Sequence, residues 1–173
     1  MKQFVYLPFL LGCAIFVYYF AKRARLRGGR KKNYDELLQL PPVIMDFNTP
    51  EGAILCLEEA YRQGDRDGVL AAKDFVTEAR LMLERAGLHD KIDEEMLGKA
   101  SATLVDSFKS HLAKKWPDFK GVESFFLRRE VYCDKVVVVT EACRLSNGEF
   151  SQQRILVSET EQGWRVLNPE ESK

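Results

Sequence analysis

The feature that most constrains the fold of this 173-residue chain is a series of four strand-like segments beginning at Gly121. β-Branched and aromatic residues mark the segments, and short turn sequences separate them. One turn, Asn147-Gly148, is the pair most typical of a two-residue hairpin. The segments are GVESFFLRREVY, KVVVVTEACRLS, EFSQQRILVSET and GWRVL. Consecutive strands with tight turns predict a four-stranded antiparallel meander, and the run of valines, apolar on both faces, indicates a central strand.

The segment before the strands has the pattern of helices with their capping residues. Thr49 is a suitable N-cap, and Pro50 occupies the first helical position, where its missing N–H costs nothing. Gly64 suits the left-handed end of this helix, and Asp65 suits the cap of the next. The first helix has an apolar face of Ile54, Leu57 and Tyr61, and the opposite side carries Glu58, Glu59 and Arg62. We therefore expect Glu58 and Glu59 to face solvent or a partner.

The helical pattern continues as far as Pro117. A second helix places Val69, Ala72 and Phe75 on its buried side, and the pattern resumes until Gly87. Asp93 caps a longer helix that ends at Trp116-Pro117, and its apolar stripe consists of Met96, Leu97, Ala100, Leu104, Phe108 and Leu112. Helices first and strands afterwards predict an α+β domain of two layers, with helices packed on a curved four-strand antiparallel sheet.

Residues 4–20 are apolar and aromatic without a charged residue, and a helix of this length spans about 26 Å. We interpret the segment as a single transmembrane helix. Seven Lys and Arg residues follow it within residues 22–32, and only Lys2 precedes it. Because positive flanks stay in the cytoplasm, the sequence predicts a single-pass membrane protein whose C-terminal domain is cytoplasmic.

The N-terminal segment has two alternative interpretations. A cleaved signal peptide requires small residues before the cut, and Tyr-Tyr-Phe-Ala-Lys-Arg does not provide them. A lipoprotein signal ending at Cys13 stays open, although the residues after Cys13 remain apolar. The predicted organisation is an anchor with its basic flank (1–27), a tether (28–47), the α+β domain (48–168) and a tail (169–173).

The zero net charge of the chain conceals an asymmetry. Eight of its 26 basic residues and none of its 26 acidic residues lie in residues 1–32, so residues 33–173 carry about −8 (18 basic against 26 acidic). An acidic domain repels nucleic acid and suits a basic protein partner. Our candidates for partner binding are Glu58, Glu59, Asp65 and Asp67.

The sequence contains little that indicates catalysis, and we expect no catalytic residue, cofactor or metal site. His111 lies beside the apolar stripe of the long helix and His89 lies in a turn, and neither has a second histidine at metal-ligand spacing. Asp74 is interpreted as the partner of Lys73 in an ion pair at a helix end. The four cysteines are interpreted as free thiols, because Cys133 and Cys143 lie too far apart along neighbouring strands to be bridged.

Polar residues on two of the strands form a further set of candidates. Glu141 and Arg144 lie on the second strand, and Gln153 and Arg154 lie on the third. They could project into the domain as a polar site, but a solvated outer face is the commoner place for such residues. We therefore expect them on the outside of the sheet.

The pieces EEAYRQGDRDGVLAAKDF, TEARLML and VTEACRLSNGEFSQQRILVSETEQGWRVLN resemble proteins of the nuclear transport factor 2-like fold. Within that superfamily they are similar to the bacterial immunity proteins, and the resemblance covers residues 48–168. It implies a protein that neutralises a bacterial toxin by direct binding and, together with the predicted span, a location in the bacterial inner membrane. A structural subunit of an inner-membrane secretion complex and a small-molecule enzyme or carrier of the same fold remain alternatives, because one fold hosts many functions.

Overall fold

The structure of the chain, a computed structural model, describes residues 34–169. The predicted membrane span at residues 4–20 and its basic flank lie outside this range. Within the described range, no helix combines the length and apolar character needed to cross a bilayer. The helices are α1 (Tyr34–Leu37), α2 (Pro50–Gln63), α3 (Arg66–Ala71), α4 (Phe75–Arg85) and α5 (Glu94–Lys114), with a 3₁₀ turn at His89–Lys91. The strands are β1 (Glu123–Cys133), β2 (Val136–Arg144), β3 (Phe150–Thr160) and β4 (Gly163–Pro169).

Side-chain caps define the starts of the helices, as the sequence predicts. The hydroxyl of Thr49 accepts a hydrogen bond from the backbone N–H of Gly52 at 3.0 Å. The carboxylates of Asp65 and Asp93 accept equivalent bonds at the starts of α3 and α5. These bonds satisfy N–H groups that the first helical turn leaves without a backbone partner. Gly64 ends α2 with a φ of 71°, a left-handed conformation that glycine adopts without a steric penalty.

The four strands form one antiparallel meander in the order β1-β2-β3-β4, which confirms the predicted sheet. Cys133 pairs with Val136 across the turn between β1 and β2, and Arg144 pairs with Phe150 at the far end of β2 and β3. β2 therefore pairs along both of its edges. Nearly all of its residues are buried, as expected for the valine-rich central strand.

Apolar side chains cover both faces of the sheet around β2. On one face, α2 packs against the sheet in a core that includes Ile54, Leu57, Tyr61, Val139, Ile155, Val157 and Val166. On the other face, Val136, Val138, Leu156 and Leu167 form a second cluster, against which Leu81 of α4 packs. Alternate residues of β2 thus point into two apolar clusters, because successive side chains of a strand project to opposite sides.

The two edges of the sheet differ in how they are covered. Backbone groups of β4 bond to segments outside the sheet: the N–H of Trp164 donates to the carbonyl of Phe47 at 2.7 Å, and that of Val166 donates to Ala72 at 2.8 Å. Lys73 also forms a parallel bridge with Val166. Within residues 34–169, by contrast, β1 is paired only with β2. The outer edge of β1 is therefore the open edge of the described sheet.

Candidate functional site

Helix α2 and strand β2 bring two carboxyl groups together inside the core. Glu58 of α2 is 2% exposed and Glu141 of β2 is 0% exposed. Cys143, two residues beyond Glu141, is also buried. One ligand atom from each of the three side chains lies within 4.8 Å of the other two. Buried acidic residues are rare without compensating partners, so this cluster is the first candidate for a functional site.

The prediction that Glu58 faces solvent is wrong, and helix geometry explains why. Glu58 follows Ile54 by four residues and precedes Tyr61 by three, so it lies on the same face of α2 as these two core residues. The prediction of an outer position for Glu141 is wrong for a similar reason. Glu141 stands two residues after Val139, and alternate residues of a strand share one face.

Gln153 also points inward, contrary to the expected outer position. It pairs with Glu141 across β2 and β3 and donates from its amide nitrogen to Glu141 Oε2 at 2.5 Å. Arg144 and Arg154 are partly exposed, as expected, and each meets an acid of β1: Arg144 lies 3.3 Å from Glu123, and Arg154 lies 2.5 Å from Glu130. The four polar candidates on these strands thus divide between the two faces of the sheet.

Polar neighbours satisfy most of the oxygens in the carboxyl cluster. The hydroxyl of Ser124 on β1 lies 2.8 and 2.9 Å from the two carboxyl oxygens of Glu58. Arg62 donates to Glu58 Oε2 at 3.1 Å from one helical turn further along α2. The Oε1 atom of Glu141 is buried and, when Glu58 is ionised, has no hydrogen-bond partner among the described groups. It is satisfied only if a proton on Glu58 or Cys143, or another ligand, points at it.

Burial and charge determine where protons reside in this cluster. Burial, together with the negative charge of Glu141, raises the pKa of Glu58 to about 9, against the opposing effects of Ser124 and Arg62. Glu58 is therefore protonated near neutral pH and can donate to Glu141. Burial and the charges of Glu141 and Glu58 also raise the pKa of Cys143 far above its usual value. Cys143 is consequently a thiol rather than a reactive thiolate.

This arrangement permits three kinds of chemistry. A protonated and an ionised carboxyl group that share a proton can fix α2 on the sheet, in the way other buried polar networks specify packing. Such a pair can also transfer protons if a substrate reaches it. Two carboxylates and a thiolate can, finally, hold a metal ion.

The predicted partner-binding residues do not form a single group. Glu58 is buried in the cluster, whereas Glu59 lies on the outer side of α2 and accepts bonds from Arg62 and Gln63. The bonds from Gln63 and Arg62 lower the pKa of Glu59. Asp65 is exposed and uses its side chain as the cap of α3, and Asp67 is exposed in the first turn of that helix.

The prediction of an ion pair between Asp74 and Lys73 is wrong. Asp74 instead caps α4 by accepting from the N–H groups of Val76 and Thr77, and Ser158 donates to its second oxygen at 2.8 Å. The Nζ atom of Lys73 lies 3.4 Å from Glu78 Oε2. Its side chain is buried and lies near the rings of Phe75 and Phe108, and it donates to Asn168 at 3.1 Å.

The described histidines and cysteines lie where the sequence suggests. His111 is half-buried on α5, and His89 is exposed in the 3₁₀ turn. Cys133 and Cys143 are free thiols, and so is Cys56, which is half-buried on α2. The two histidines are not part of the carboxyl cluster.

Comparisons with known proteins add little to this geometry. No family model matches the chain, and no curated protein matches it. A crystal structure from Campylobacter jejuni named "Putative NTF2-like transpeptidase" is similar over 69% of this chain and 98% of that chain, at 14% identity and a TM-score of 0.40. A structural similarity at this level does not indicate the function of this chain. The order of the described elements, with helices first and an antiparallel meander afterwards, agrees with the nuclear transport factor 2-like fold.

Proposed function

We propose that this chain is a membrane-anchored immunity protein that neutralises a bacterial toxin by direct binding, without catalysis. The observation that carries the proposal is the outer edge of β1, along which no second strand is paired within the described residues. In the proposed arrangement, residues 4–20 hold the protein in the inner membrane and the α+β domain meets the toxin in the cytoplasm.

The strand at this edge is long, and exposed apolar side chains lie near one of its ends. β1 contains 11 residues, and Val131 near its end is 84% exposed, with Tyr132 beside it also exposed. An edge strand of this kind can accept a strand from a partner, because main-chain hydrogen bonds provide affinity and neighbouring side chains provide specificity. The edge of β4 is already bonded to Phe47 and Ala72. The geometry therefore favours β1 over β4 as the binding edge.

β1 also has features that limit indiscriminate pairing. Its register with β2 shifts between Phe126 and Arg128 and again between Val131 and Cys133. The charged residues Arg128, Arg129 and Glu130 stand between these two irregularities. Bulges and charges on an edge strand discourage self-association, so a protein that keeps this edge open gains selectivity for a complementary partner.

The charge and the closed core support binding rather than turnover. Residues 33–173 carry about −8 by formal charge, which suits association with a basic protein. The acid–base pair of Glu58 and Glu141 is directed into the core, where its hydrogen bonds are to protein groups. Surface charge can thus attract the partner while the buried carboxyl groups maintain the fold.

The proposal is tested by co-expression. Products of genes that neighbour the gene for this chain are expressed one at a time with and without the full chain, and growth is scored. We expect one toxic product whose toxicity is relieved and which purifies in complex with the chain. Relief of toxicity without a complex would contradict direct binding.

Replacing Val131 by Asp should weaken the toxin complex by about tenfold or more, which corresponds to at least about 1.4 kcal/mol. The substitution places a charge where an added strand would cover it, and burying an unpaired carboxylate is costly. Val131 is so exposed that the melting temperature should change little. Affinity is measured by titration calorimetry or surface plasmon resonance on the purified pair.

Val76→Asp is the matched control, because Val76 is also exposed but lies in the first turn of α4. It introduces the same charge at a distance from β1 and should leave affinity nearly unchanged. If both variants bind as tightly as the original chain, the β1 edge is not the interface.

A further inference from the structure

We propose that Glu58, Glu141 and Cys143 form a binding site for one divalent cation of the zinc class, namely Zn²⁺ or a close substitute such as Co²⁺. The three side chains come from α2 and β2 and place one ligand atom each within 4.8 Å of the others. No metal-binding spacing is visible in the sequence, because one ligand lies on a helix and the other two on a distant strand.

The geometry requires only small side-chain adjustments to reach metal coordination. Zinc bonds to oxygen and sulfur of about 2.0–2.3 Å place neighbouring ligand atoms roughly 3.5 Å apart in a tetrahedral site. The separations of up to 4.8 Å here would close by about an ångström through rotation of the side chains. The Ser124 hydroxyl lies 2.8 Å from Glu58 Oε1 and 4.0 Å from Cys143 Sγ, close enough to become the fourth ligand.

One oxygen inside the cluster needs either a shared proton or a ligand. Glu141 is 0% exposed, and its buried Oε1 atom has no hydrogen-bond donor among the described groups once Glu58 and Cys143 have lost their protons, as metal binding requires. A buried carboxylate oxygen left unpaired is costly. A cation between Glu141, Glu58 and Cys143 would satisfy this atom directly.

The donor set selects the kind of metal. Mg²⁺ and Ca²⁺ prefer sites made only of oxygen, whereas a cysteine sulfur beside two carboxylates suits Zn²⁺ and similar ions. Charge also balances, since the three anionic ligands are offset by the divalent cation and by Arg62, which lies 3.1 Å from Glu58. A neutral set is what a buried site requires.

The surroundings of the site resemble those that orient metal ligands. Gln153 donates to the far oxygen of Glu141 at 2.5 Å, which would fix the position of Oε1. The site joins α2 to the central strand of the sheet. A bound cation would therefore stabilise the folded protein, by an amount that grows with the logarithm of the free cation concentration.

Cobalt binding to the full chain in mild detergent tests this proposal. Co²⁺ is added both to the folded protein and during refolding, because the site is buried. We expect one equivalent to bind, with a near-ultraviolet thiolate-to-cobalt absorption and visible bands typical of tetrahedral cobalt, and Zn²⁺ should remove both signals. If neither procedure produces a thiolate-to-cobalt absorption, the proposal is overturned.

Cysteine variants identify the sulfur ligand. Cys143→Ser should abolish the near-ultraviolet band, whereas the combined change of Cys13, Cys56 and Cys133 to Ser should leave it intact. The opposite pattern would place the metal elsewhere. In case Cys143→Ser fails to fold, Gln153→Leu provides a second test that keeps all three ligands. It should weaken cobalt binding by about 10–100-fold through loss of ligand orientation, and unchanged affinity would contradict this geometry.

Discussion

At about pH 8.5, Glu58→Gln should make the protein more stable by several kcal/mol, although Glu58 is a buried, hydrogen-bonded residue. The reason is that the folded protein holds Glu58 protonated. The pKa of this group is about 9 in the folded state, against 4.5 for an ordinary glutamate. Glutamine resembles the protonated acid in shape, can still accept from Ser124, and can donate its amide N–H to Glu141.

The direction of the pH dependence follows from these two pKa values. Between about pH 4.5 and 9 the folded state keeps a proton that the unfolded state releases, so stability falls as pH rises. Below about pH 4.5, the contribution of this proton to the free energy of unfolding is fully present. Between the two pKa values, the free energy of unfolding falls by up to about 1.4 kcal/mol per pH unit. Glutamine does not titrate, so the variant lacks this slope and its advantage should grow with pH.

Urea unfolding at several pH values from 5 to 9 measures this effect, with a chelator present to exclude metal ions. Glu59→Gln is the matched control, because Glu59 is adjacent in sequence but lies on the outer side of α2. It should leave the alkaline slope of the original protein unchanged. Parallel pH profiles for the Glu58→Gln variant and the original protein would show that Glu58 is not protonated in the folded state.

Lys73→Met should destabilise the protein by about 3–5 kcal/mol. The side chain of Lys73 is 2% exposed and forms a buried ion pair with Glu78. Methionine keeps most of the length between the rings of Phe75 and Phe108, but it removes the charge and the bond to Asn168. Glu78 then keeps its hydrogen bond from Asn168 but loses its buried cation, and this loss is the main source of the cost.

Unfolding in urea at neutral pH measures this cost against two comparisons. Adding Glu78→Gln to the variant removes the unpaired charge and should restore part of the stability. Lys99→Met breaks a pair with Glu95 in which both side chains are well exposed, and it should cost less than about 1 kcal/mol. Equal effects for Lys73→Met and Lys99→Met would contradict the stabilising role of the buried pair.

Local features of this fold could be predicted because neighbouring residues determine them. Thr49, Asp65 and Asp93 cap helices through bonds to N–H groups within three residues. The turn at Asn147-Gly148 and the alternation of the strands likewise identify the meander. The strand order follows from short connections, and with it the position of β1 at an edge.

The carboxyl cluster could not be predicted in the same way, because its partners are distant in sequence. The position of Glu58 between Ile54 and Tyr61 on the helix was a usable signal, but its charge suggested solvent. Burial of Glu58 is possible only because Glu141 and Ser124 meet it from two strands. The interpretation of Asp74 is wrong for a related reason. Backbone groups of Ala72 and Asp74, on either side of Lys73, bond to Val166 of β4, which interrupts the helical pattern there.

Under the proposed function, the chain neutralises its toxin by forming a complex rather than by turnover. The most direct test is a titration of toxin activity in vitro with the purified full chain, using the toxin identified by co-expression and a toxin concentration well above the dissociation constant. Neutralisation by direct binding predicts a linear loss of toxin activity that is complete at about one equivalent, with the same end point for the Glu58→Gln variant. Complete neutralisation by a small fraction of an equivalent, increasing with time of incubation, would contradict it and indicate an enzyme.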